Sequence, residues 1–146
     1  MTDQQKTIFI RKNIIEACKD FRLEHSFLRY QDLIGGIIFT ISICSIILGS
    51  ILYLKGHVSA WILIPWNAFW MSVLHEMEHD LIHYMYFKKL PFISNIMLGI
   101  GWVARPLTIN PWFRRELHFH HHKYSGTIHD VEERGVTNGD KWNFKR

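Results

Sequence analysis

Leu33–Leu54 reads LIGGIIFTISICSIILGSILYL, a stretch without a single charge in a chain of 146 residues. A helix over it is roughly 33 Å long at about 1.5 Å per residue, enough to cross the hydrocarbon core of a bilayer. The stretch is too long and too far from the N-terminus for a signal-peptide core, and no small-residue cleavage site stands out after it. The expectation is a transmembrane helix over 33–54 that stays in the mature protein. A composition that is 48% hydrophobic and 14% aromatic, gathered into long runs, argues the same way against a soluble globule.

On the N-terminal side, residues 8–30 (IFIRKNIIEACKDFRLEHSFLRY) mix apolar residues with charges of both signs in a helix-like pattern. This predicts an amphipathic helix on the membrane surface within a segment 1–32, with a disordered tail as the alternative. On the C-terminal side, Lys55-Gly56-His57 forms a short turn, and Ser59 caps a helix beginning near Ala60. Trp61–Phe87 (WILIPWNAFWMSVLHEMEHDLIHYMYF) is apolar to Leu74 and then turns polar. A second transmembrane helix over 60–87 therefore carries its histidines out at the membrane boundary. Pro65 and Asn67 are tolerable there, and Trp61 and Trp66 suit the outer interface as anchors. Residues 91–104 are apolar but too short to cross, which predicts an interfacial or re-entrant segment where Gly99 and Gly101 permit close packing. Asn110-Pro111 reads as a cap followed by proline at the first helical position, opening a helix over 110–125 that Gly126 ends.

The fold class expected is all-α: a membrane protein with two transmembrane helices in a hairpin and amphipathic or interfacial helices beside them. Of the 17 lysines and arginines, six precede residue 33, only Lys55 lies between the spans, and ten follow Phe87. The positive-inside rule then puts both termini in the cytoplasm. Because the cations flank membrane segments instead of forming a stripe, membrane lipids are the expected partner and nucleic acid is not. Arg114 and Arg115 are expected to meet lipid phosphates rather than substrate. Cys18 and Cys44 cannot bridge, one being in a polar segment and the other midway through the first span.

Two histidine clusters carry the chemistry: His75-Glu76-Met77-Glu78-His79-Asp80 and His118-Phe119-His120-His121-His122. His75 and His79 stack on one helical face, with His83 one turn further and about 80° around from His75. His118, His121 and His122, related by three and four residues, also share a face, whereas His120 points about 160° away from His122. Histidine is the commonest side-chain metal ligand, so the pairing reads as a metal site. The plainer alternatives are polar residues reaching headgroups, for His25, His57 and His83, and a histidine-rich surface patch for the second cluster. Glu76, Asp80, Glu116, Asp130 and Glu132 lie close enough in sequence to accept the second ring hydrogen of ligating histidines, or are simply solvated acids.

HEMEH also satisfies HExxH, which predicts a membrane zinc metalloprotease with His75 and His79 on zinc and Glu76 as general base. A single tetrahedral zinc with three protein ligands leaves the second histidine group without a task. Glu76 and His79 make one ExxH of a ferritin-like di-iron bundle, but a second ExxH and two lone glutamates are missing.

At these residues the chain resembles the membrane fatty acid desaturase superfamily, HEMEHD matching its first histidine box and HFHHH its second. The short apolar segment between them and the stretch from Gly126 to Glu133 are similar as well. The resemblance implies histidine boxes on the cytoplasmic side that hold a non-haem di-iron centre. It implies dioxygen-dependent desaturation or hydroxylation of an acyl lipid, with electrons from a ferredoxin or cytochrome b5. Carried over by motif, His75, His79, His118, His121 and His122 are the iron ligands; His83 is an extra candidate outside the boxes, and His120 and His129 are not box positions. Iron over zinc or copper follows from the resemblance and not from the spacing. Members of that superfamily continue with two more spans and a third HxxHH box that this sequence lacks. The expectation is an N-terminal part of such a domain, binding less than a full pair of irons and not turning over alone, or a non-catalytic membrane remnant or subunit.

Overall fold

The computed structural model describes residues 1–132 of the chain, so Glu133 lies outside the described residues. They form five α-helices: α1 (Asp3–Glu24), α2 (Gln31–Leu54), α3 (Ala60–Ile82), α4 (Pro91–Ala104) and α5 (Pro111–Tyr124), with a 3-10 turn, Ser26–Tyr30, between the first two. No strand occurs among the described residues, and the fold is all-helical.

Contacts divide the chain into two units, Met1–Gly36 and the part from Ile37 onward. In the first, Thr2 and Gln5 form a reciprocal capping box that satisfies donors at the start of α1, a signal the sequence reading missed. No residue of α1 is buried. Its apolar side chains, Ile8, Phe9, Ile14, Ile15 and Phe21 among them, are exposed.

Among the described residues, one helical run, Ser26–Leu54, is long and apolar enough to cross a membrane. Ser42 and Ser50 hide their hydroxyls in α2 by donating to the carbonyls of Ile38 and Ile46, both at 2.8 Å. The second expected span differs in two ways. α3 has 23 residues, but Pro65, Asn67, its tryptophans and the acids of its last turns dilute its apolar character. It also stops at Ile82 instead of Phe87. There the Tyr84 backbone enters the left-handed region at φ 56°, and the Met85 N–H reaches the Asp80 carbonyl at 2.9 Å. This is a Schellman ending, usually made by glycine, which is why no breaker was visible in the sequence.

Ser59 occupies the N-cap of α3 without a side-chain cap bond, whereas Asn110 caps α5 by accepting from the N–H groups of Trp112 and Phe113 at 3.1 and 3.2 Å. α4 is about 21 Å long at about 1.5 Å per residue, short of a roughly 30 Å hydrocarbon core. The core of the second unit joins Phe39 of α2, Leu74, Met77 and Leu81 of α3, and Met97 and Leu98 of α4. Gly101 lies against the Phe39 ring, whose Cε2 would stand at an ordinary van der Waals distance of 3.6 Å from an added Cβ. Between α2 and α4 lies an open apolar groove of about 540 Å³, lined by residues including Ile43, Ile47, Ile96, Gly99 and Val103.

Trp66 does more than anchor an interface. Its indole N–H donates to the Ser45 carbonyl of α2 at 2.9 Å, over the gap left by Gly49. A Cβ at Gly49 would sit 2.8 Å from Trp66 Cδ1. Gly49→Ala is expected to destabilise the chain by about 1–3 kcal/mol through overpacking, read as a lower unfolding temperature in detergent.

Candidate metal centre

The first histidine group lies on the last turns of α3, where the burial pattern turns Met77, Glu78 and Leu81 inward. α5 packs beside α3, presenting its own histidines to the same region. The two clusters meet ring to ring. His118 Nε2 lies 3.2 Å from His79 Nε2, 3.0 Å from His83 Nε2 and 3.0 Å from His122 Nε2, and His122 Nε2 is 3.3 Å from His83 Nε2. His79, His83 and His118 form a closed group of metal-ligand dimensions.

Two carboxylates fix ring orientation from behind. Beyond Gly126 the chain turns back, and Asp130, fully buried, accepts from His121 Nδ1–H at 2.7 Å while Glu132 accepts from His118 Nδ1–H at 3.1 Å. A carboxylate on one ring nitrogen leaves the other with its lone pair outward, the arrangement found behind metal-bound histidines. Burial holds His118 below the usual imidazole range, outweighing the opposing pull of Glu132. A neutral imidazole is what a metal ligand must be.

The other expected residues take different places. Asp80 accepts from the Tyr86 hydroxyl at 2.9 Å and stands 4.0 Å from His79 Nδ1. Glu76 and Glu116 are exposed. His120 packs against Tyr124, with ring centroids 4.5 Å apart, and is not in the group. His75 lies apart too: its Nδ1 accepts from Arg105 Nη2 at 2.8 Å.

Glu78 is the residue the sequence reading passed over. Its side chain, 2% exposed, accepts from Arg105 Nη1 at 2.6 Å and from Arg114 Nη1 at 2.8 Å, tying α3 to the end of α4 and to α5. Its only signal was a third acid inside HEMEHD on the apolar side of the helix. The expectation that Arg114 and Arg115 meet lipid phosphates is corrected. Arg114 pairs with Glu78, and Arg115 donates to the Leu81 carbonyl at 3.0 Å and lies over the Tyr84 ring at 4.3 Å.

An all-helical chain with a long apolar helix and histidines converging from two further helices defines a candidate membrane metalloprotein. The family model for fatty acid desaturases matches residues 55–146, more than half of the chain, and the chain belongs to that family. The family is membrane-associated and generally iron-dependent, with acyl lipids as substrates and electron donors as partners. No curated protein and no solved structure matches the chain.

Removing the Glu78 carboxylate leaves two partly buried guanidiniums without their shared partner. Glu78→Ala is expected to cost about 3–5 kcal/mol in chemical unfolding of the detergent-solubilised chain. An exposed control, Glu24→Ala, is expected to stay within about 0.5 kcal/mol of wild type.

Proposed function

We propose that the chain is a desaturase-like lipid oxidoreductase whose two histidine groups supply ligands to a non-haem di-iron centre for dioxygen-dependent desaturation or hydroxylation of an acyl lipid, with less than a full pair of irons bound by these histidines alone. The observation that carries this reading is the meeting of His79 and His83 with His118 and His122 across α3 and α5. The donor set fits iron, since imidazole suits it and carboxylates stand behind two of the rings. Iron bound there supplies dioxygen activation and removal of hydrogen from an unactivated carbon.

The chain's own residues do the rest. His79 and His118 hold the metal at the join of the helices. His121, with its Nδ1 committed to Asp130, would keep Nε2 as the atom able to ligate iron. Glu78, Arg105 and Arg114 keep the supporting helices in register. His75, a ligand by the family motif, is held by Arg105 in place of a metal ion. In this reading α2 and the apolar part of α3 cross the membrane as a hairpin, both termini face the cytoplasm, and α4 lies at the interface. An acyl lipid enters from the bilayer, and a ferredoxin or cytochrome b5 delivers electrons from the aqueous side. The zinc protease alternative gains no support: Arg105 occupies the Nδ1 of His75, and no comparison favours it.

Iron reconstitution of the full chain tests the metal part. Asp130→Asn is expected to weaken iron binding by about 10–100-fold while retaining helical content, as for other carboxylates behind metal-bound histidines. Wild-type protein that takes up no iron would overturn the reading. Lipid extracts from cells expressing the chain test the reaction. New double bonds or hydroxyls that vanish with His118→Ala support an oxidoreductase, and iron uptake without any lipid product points instead to a non-catalytic subunit.

A further inference from the structure

His118 Nε2 has three nitrogen neighbours at 3.0–3.2 Å. Because Glu132 accepts at Nδ1, the ring proton belongs there and Nε2 carries one in-plane lone pair. A single lone pair accepts one good hydrogen bond, so three such neighbours cannot all be satisfied by protons. Protonating every ring would replace that conflict with four like charges at van der Waals range. One shared cation resolves it. Imidazoles at about 2.0–2.1 Å from a tetrahedral ion place their nitrogens about 3.3 Å apart. His118 Nε2 lies 3.2 Å from His79 and 3.0 Å from His83, and the nitrogens that His79, His83 and His118 offer all lie within 4.8 Å of one another.

His83 belongs to this set although the HxxxH and HxxHH boxes leave it out. It is the C-cap residue of α3, held at the end of the helix by the left-handed turn at Tyr84. Its ring meets those of His79, His118 and His122 edge-on at centroid distances of 4.7–5.0 Å. His75 is the converse case. It is a box position, yet its Nδ1 lone pair receives the Arg105 N–H, which places the proton of the neutral ring on Nε2 and leaves no free donor atom.

We propose that His83 is a metal ligand, sharing one ion with His79 and His118, and that His75 stays outside that ion's coordination sphere. The inference rests on the metal-centre reading above and names the ligands of its first ion.

Cobalt(II) alone, titrated into the full chain in detergent and followed by its visible absorption, tests the assignment. Wild-type protein is expected to show saturable binding with the bands of a nitrogen-ligated, low-coordinate ion. His83→Ala and His83→Gln are expected to lose at least about tenfold in affinity, and His75→Gln to stay within about twofold, with helical content checked by circular dichroism. If folded His83 variants bind cobalt like wild type, or His75→Gln loses tenfold, the assignment is overturned while the metal centre stands. If wild type binds no cobalt, the metal-centre reading and this inference fall together.

Discussion

A carboxylate withdrawn almost fully from water between two guanidiniums is stable only while both are present. Glu78 is in that position, and its partners come from the end of α4 and from α5. Desolvating a charge costs several kcal/mol even after relaxation, roughly as much as the pairing returns. The triad therefore adds less to net stability than it removes in freedom. α3, α4 and α5 must adopt one arrangement or strand a charge in the interior. The histidines inherit that arrangement, since His79 stands one residue after Glu78 and His118 one helical turn after Arg114.

The site is thus built in two layers from opposite directions. Apolar packing of Leu74, Met77 and Leu81 against Met97 and Leu98 sets the depth of α3. Ion pairs then fix how α5 lies beside it, and carboxylates from the following segment choose the tautomers of His118 and His121. The same Arg105 that closes the triad reaches His75, so one cation both organises the helices and occupies a histidine that sequence pattern alone assigns to metal. The converging rings lie within residues 55–146, the part of the chain that the fatty acid desaturase family model matches.

The sequence made legible whatever depends on neighbours along the chain. The uncharged run at 33–54, the Asn110-Pro111 start of α5 and the shared faces of HxxxH and HxxHH follow from helical period and capping. Contacts between distant residues were not legible. Periodicity gives the angle of His83 about its helix but not the ring it will meet, and a Glu among histidines looks like their accessory until arginines 27 and 36 positions away claim it. The early end of α3 was hidden for another reason. Tyr84 adopts a backbone state that glycine usually marks, with its ring beneath Arg115 and stacked near Phe119.

Gly126, at φ 76°, reverses the chain after α5 so that Asp130 and Glu132 come back to the helix they have just left. Which nitrogen of His118 and of His121 faces the cluster is therefore written into a backbone torsion rather than into the histidines. A Cβ at 126 would touch nothing within 4 Å, yet it would strain that torsion. The donor atoms would then be altered from a distance, by a residue with no polar group of its own.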